Sequence, residues 1–138
     1  MDDFRKQLTE LVDGLMAEGR PPIFLIIDLV GAEEIKRARD AQSLGSFREM
    51  VMGSLAGASG GDAFSYGDYR VVGVLPGFDR LKTFALVEKM RRTIPLLAQS
   101  FDCIVYPEFD TVEYEDATGV PGVIAQLVKP RDRNRDAA

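Results

Sequence analysis

Residues Asp62 to Pro76, DAFSYGDYRVVGVLP, constrain this chain more than any other stretch, because they read as two antiparallel strands joined by a tight turn. Phe64 and Tyr66 alternate on the first arm and Gly67-Asp68 supply the turn. Tyr69, Val71, Val72, Val74 and Leu75 form an apolar, largely β-branched second arm. A hairpin needs further strands beside it to be stable. The clearest partner is Ile23-Phe24-Leu25-Ile26-Ile27-Asp28-Leu29, which is apolar without alternation, the pattern of a central strand covered on both faces. Asp28 stands out near its end.

Helical periodicity fills the gaps between these strands. Phe4, Leu8, Leu11, Val12, Leu15 and Met16 form an amphipathic stripe that stops at Gly19-Arg20-Pro21-Pro22, predicting a leading helix over 1–20. That stripe packs either on its own domain or on a second copy of the chain. Phe4, Leu8, Leu11 and Leu15 are therefore the candidate interaction surface. Glu33 to Gln42 reads as a short polar helix, and Ser46-Phe47-Arg48-Glu49 has the capping-box pattern for another helix through about Leu55. Asp79 is a candidate N-cap for a long helix to about Gln99, with Leu81, Phe84, Ala85, Met90, Ile94 and Leu97 facing inward and Pro95 expected to kink it or close it early. Asp102 to Tyr106 predicts a further strand with Cys103 in the core, Val112-Glu113-Tyr114 a short edge strand, and Val120 to Val128 a last helix.

Without the leading helix the order is β-α-α-β-β-α-β. This is an α+β arrangement of ferredoxin-like, nucleotide-cyclase palm-like type, a split β-α-β sheet with its helices mainly on one face. At 138 residues the chain makes one such domain, over 21–129, and the polar run 130–138 reads as a disordered tail.

Composition removes several function classes. There is no His and one Cys, so triads, His-containing zinc sites and internal disulfides cannot be built, whereas carboxylate sites for hard cations can. A net charge of −5 argues against a broad nucleic-acid surface, which needs clustered Lys and Arg. No apolar run approaches the ~20 residues of a membrane span, and no secretory signal is visible, so a cytoplasmic setting without membrane insertion is expected. Glu108, Asp110, Glu113, Glu115 and Asp116 lack the spacing of a calcium loop and read as a solvated rim.

The element order, together with Ile26-Ile27-Asp28, Ser65-Tyr66-Gly67-Asp68-Tyr69-Arg70-Val71 and Val74-Leu75-Pro76, resembles the GGDEF domain of bacterial diguanylate cyclases. The resemblance covers Pro22 to Val128. It matches Asp28 to a metal-binding Asp and Gly67-Asp68-Tyr69-Arg70-Val71 to the family signature, with Tyr69 in place of an acidic residue and Arg70 in place of the Glu that helps hold the metal. A cation at a metal-coordinating position opposes metal binding outright. Counted without gaps, the nucleotide-reading positions hold Val30, Glu33 and Lys36, and the guanine-reading Asp falls near Gly45-Ser46, where no carboxylate stands. The nearest counterpart of the family's Arg-x-x-Asp product site is Ser59-Gly60-Gly61-Asp62, which lacks the Arg, while Arg37-Ala38-Arg39-Asp40 lies on the first polar helix and reads as a solvated face. A competing register, Gly60-Gly61-Asp62-Ala63-Phe64, is disfavoured because helical periodicity precedes it.

The resemblance thus implies no catalytic residues, no metal ligands and no cofactor, with Asp28, Gly67 and Asp68 the remnant of a nucleotide site. The expected function is a catalytically inactive GGDEF-like domain acting as a protein-interaction, signalling or localisation module. Its partner is another protein or a second copy, and the alternative is a non-catalytic receptor for GTP or cyclic di-GMP. A strand-end Asp28 that merely caps the following helix stands beside the functional reading of that residue.

Overall fold

A computed structural model describes residues 2–130, so the tail expected at 130–138 lies, apart from its first residue, outside the described residues. The elements are α1 (Asp2–Ala17), β1 (Pro22–Val30), α2 (Glu33–Ala38), α3 (Ala41–Ser59), β2 (Ala63–Tyr66), β3 (Arg70–Pro76), α4 (Arg80–Gln99), β4 (Tyr106–Glu113) and α5 (Gly119–Leu127). The strands form one sheet in the order β2-β3-β1-β4, with every neighbouring pair antiparallel. β1 and β2 therefore run parallel with β3 between them, which is the split β-α-β expected from the sequence.

β1 is apolar apart from Asp28 because the sheet is covered on both sides. Its odd residues Ile23, Leu25, Ile27 and Leu29 join Phe47, Val51 and Leu55 of α3 and Leu86, Met90 and Ile94 of α4 in one buried cluster. Its even residues Phe24 and Ile26 join Val72 and Val74 of β3, Leu8 and Val12 of α1, and Val123, Ile124 and Leu127 of α5 in a second. Side-chain alternation along a strand thus sorts the core into two layers. The three helices between the strands take one face, and the first and last helices take the other.

Several boundaries differ from expectation. α3 starts at Ala41, not Ser46, because Asp40 adopts extended backbone and its Oδ1 accepts the Ser43 N–H at 2.7 Å. The same turn ends α2 at Ala38, so Arg37 and Asp40 do not share a helical face. α4 begins after Asp79 as expected, with Oδ1 accepting the Lys82 N–H at 2.8 Å, and it runs through Pro95 to Gln99.

Its buried stripe is Thr83, Leu86, Met90, Ile94 and Ala98. Leu81 and Phe84, expected inside, are 78% and 63% exposed, and Ala85 is exposed too. A stripe at three- and four-residue spacing has room for one register only, and the run Leu86-x3-Met90-x3-Ile94 sets it.

Residues 102–105 are not a strand. Asp102 takes φ 56°, and the N–H groups of Asp102 and Cys103 return to the carbonyls of Gln99 and Ala98, so this segment finishes the helix before β4 begins at Tyr106. Asp is among the few non-glycine residues that accept this conformation readily. Cys103 is half-buried against the core, not inside it. The short strand expected at 112–114 is instead the end of β4. Within that edge strand Pro107 lacks an N–H, and the Thr111 N–H is taken by Asp110 Oδ1 at 2.9 Å, two devices that blunt an exposed edge.

Candidate functional site

The hairpin tip is a three-residue loop, since Tyr66 pairs with Arg70 and leaves Gly67, Asp68 and Tyr69 between them. The sequence expectation of a two-residue Gly67-Asp68 turn is corrected by one residue. Gly67 takes φ 70°, the left-handed conformation that glycine adopts without a steric cost. The tip is tied down from both sides. The Leu29 N–H donates to the Tyr69 carbonyl at 2.8 Å, and Arg48 Nη1, from α3, donates to the Asp68 carbonyl at 3.2 Å. Arg48 Nη1 also lies 3.8 Å from the Asp68 carboxylate.

Asp28 sits on the α1/α5 side of β1, directly opposite Arg70 on β3 and Glu108 on β4. Arg70 closes on it with two bonds, Nε to Oδ1 at 2.7 Å and Nη2 to Oδ2 at 3.2 Å. The remaining Nη1 donates to the carbonyls of Leu127 and Lys129, at 2.8 and 2.7 Å, where α5 ends. The two side chains are only 12% and 20% exposed. A planar guanidinium suits this arrangement, because one fork fits a carboxylate while another N–H pair is left to reach elsewhere.

Of the residues singled out in the sequence, the structure joins Asp28 to Arg70 and joins Asp68 to Arg48. The following helix, α2, has Ala32 at its N-cap, which makes no side-chain capping bond. The Arg70 guanidinium stands against the Asp28 carboxylate, with Nε 2.7 Å from Oδ1. Among the described residues no three Asp, Glu, Cys or His side chains are grouped as a cation would require.

The competing register is settled by backbone. Gly60 is the left-handed C-cap of α3, with its N–H on the Ala56 carbonyl, and so Gly60-Gly61-Asp62 leads into β2 and forms no hairpin tip. Nor do Ser59 to Gly61 offer free donors for a phosphate, because the Gly61 N–H bonds Ser59 Oγ at 3.1 Å. Gly61 is sterically required: a Cβ there would stand 2.1 Å from the Val74 carbonyl oxygen.

The apolar stripe of α1 is spent inside the fold. Leu8 is 3% exposed, and Phe4, Leu11 and Leu15 are half-buried against the sheet-facing cluster, with the Phe4 and Phe64 rings edge-to-face at 5.2 Å. The candidate surface drawn from these four residues is thereby largely covered by the chain's own sheet. Sequence reasoning missed Arg48 and the α5 carbonyls. Its one usable signal was Arg70 itself, a charge in an otherwise apolar strand that had to find a partner.

Two further hollows lie away from this pair. One, of about 590 Å³, runs between α4 and β4 past Arg80, Phe84, Arg91 and Glu113. The other, of about 170 Å³, lies between α1 and the Gly60-Gly61-Asp62 turn. No helix among the described residues is long and apolar enough to cross a membrane.

No known family profile and no curated protein sequence matches this chain. Its fold does match solved structures. The GGDEF domain of DgcB from Caulobacter crescentus, in complex with c-di-GMP, superposes with a TM-score of 0.66 at 15% identity, over 89% of this chain and 79% of that one. The coiled coil and GGDEF domain of the same protein, also with c-di-GMP, gives a TM-score of 0.69 at 13% identity, over 90% of this chain and 69% of that one. The chain has the GGDEF-domain fold.

Proposed function

We propose that this chain is a catalytically inactive GGDEF-like domain that works by contact with another protein, in signalling or localisation. The observation that carries the reading is the Arg70–Asp28 pair. Joining two nucleoside triphosphates through divalent cations needs several oxygen ligands free to coordinate. Here the carboxylate at the end of β1 is held by an arginine, and Tyr69 adds no further carboxylate at the hairpin tip.

The experiment is incubation of the chain with GTP and Mg²⁺ followed by chromatography for any cyclic dinucleotide. None is expected, and product formation would overturn the reading. A second reading, a receptor for GTP or cyclic di-GMP, draws support from the c-di-GMP held by both DgcB structures. Against it stand the engaged Gly61 N–H and the absence of an Arg ahead of Asp62. Titration calorimetry with each nucleotide separates the two: binding heat supports the receptor, and its absence supports the contact module. A cytoplasmic setting belongs to the same proposal.

A further inference from the structure

α5 has little local reason to be helical. It is nine residues long, its N-cap Thr118 makes no side-chain capping bond, and it includes Gly119, Pro121 and Gly122. Helices this short are marginal in water even with good formers, and glycine is a poor one. Its order therefore comes from tertiary contacts, of two kinds. Val120, Val123, Ile124 and Leu127 are buried in the cluster shared with α1 and the sheet. The other contact is Arg70, whose Nη1 takes the carbonyls of Leu127 and Lys129.

Those carbonyls are orphan acceptors at the negative end of the helix, where a cation is favoured. Among the described residues, Arg70 is the side chain that donates to this end of α5. Asp28 aims it: with Nε and Nη2 on the carboxylate, Nη1 is turned toward the helix end. The approach to α5 from β4 runs through residues 115–118, which are exposed.

We propose that α5 is a strap, fastened across the second face of the sheet by Arg70 and aimed by Asp28 as a positioning residue, and that it opens as a unit while the rest of the domain stays folded. The same ion pair that replaces a cation site is then also the clasp of a mobile element. Opening uncovers one side of the apolar cluster around Phe24, Ile26, Val72 and Val74. This inference goes beyond the proposed function and holds whether or not the chain binds a nucleotide.

Native-state hydrogen exchange, read by mass spectrometry on the full chain, tests it. In the unaltered protein, amides of 119–128 should exchange at least ten-fold faster than those of β1 and α3. In Arg70→Met they should exchange at least a further ten-fold faster and stay at least ten-fold faster than those of α3, and Asp28→Asn should give a smaller rise in the same segment. Protection of α5 equal to that of β1 in the unaltered protein overturns the proposal, and that reading stands even if Arg70→Met fails to fold. An exchange rate of 119–128 left unchanged in a folded Arg70→Met overturns it as well.

Discussion

Arg70 and Asp28 face each other across the β3–β1 ladder as register partners, joined by two charge-assisted bonds of 2.7 and 3.2 Å. This relationship makes an arginine tolerable in an apolar strand, and it gives the strand-end carboxylate a counter-ion from within the chain. Removing Arg70 takes this counter-ion from a carboxylate that is only 20% exposed. Arg70→Met should cost about 3 kcal/mol in urea unfolding. Arg70→Met combined with Asp28→Asn should cost clearly less than the two single changes added together. Simple additivity would show that the two side chains do not depend on each other.

The burial of the α1 stripe leads to a second expectation. Leu8→Ala should destabilise by about 3 kcal/mol, whereas the exposed Met16→Ala should stay within about 0.5 kcal/mol. Unfolding curves with gel filtration decide the matter. Unchanged stability with a changed association state in Leu8→Ala would mean that the stripe serves a second copy and not the chain's own sheet.

Gly73 lies under Leu55 of α3, and a Cβ at that position would come 2.7 Å from Leu55 Cδ2. Gly73→Ala should therefore overpack the core and cost about 1–3 kcal/mol. Leu55→Ala alone should cost about 2–5 kcal/mol through the cavity it leaves. Because the added methyl enters that cavity, the double variant should be more stable than the sum of the single changes predicts. Thermal unfolding of the four proteins measures the coupling, and a zero value would contradict the packing described.

The Asp40 carboxyl is held below its ordinary value of 3.8, first by the backbone N–H of Ser43 and then by the Ser43 side chain. A carboxylate favoured in the folded state contributes stability that is present above 3.8 and is lost as pH falls through its lower folded value. The stability difference between the unaltered chain and Asp40→Asn should therefore shrink below pH 3.8. A difference that is flat across that range in acid titration would place the α3 cap elsewhere.

The strands and the overall order were legible in the sequence because they rest on strong local patterns. β1 opens on the apolar run Ile23 to Ile27 and β3 is β-branched, while Asp79 precedes a long periodic helix. The GGDEF-domain fold followed from that order. What could not be read were choices between equally good local signals. Ser46 with Glu49 satisfies a capping box as well as Asp40 satisfies an N-cap, and only the turn at Arg39 decides between them. Leu81 and Phe84 are as apolar as Leu86 and Met90, and which face α4 buries depends on α3 and the sheet.

At the candidate site, Asp28, Gly67 and Asp68 were visible as residues, but their partners were not. Arg48 lies 20 positions from Asp68, and the carbonyls that Arg70 reaches lie 57 and 59 positions away. Contacts of that separation leave no local trace in sequence. The two-layered core was equally hidden, because α1 and α5 meet on the second face only once the chain has folded.

The most direct test of the central claim, that Arg70 stands where a catalytic cation would be needed, is a turnover assay. The full chain is incubated with GTP and Mg²⁺ at high protein concentration and the mixture is resolved for cyclic di-GMP. The expected result is no product from the unaltered chain. Cyclic di-GMP formed in proportion to protein, and lost in Asp28→Asn, would contradict the claim.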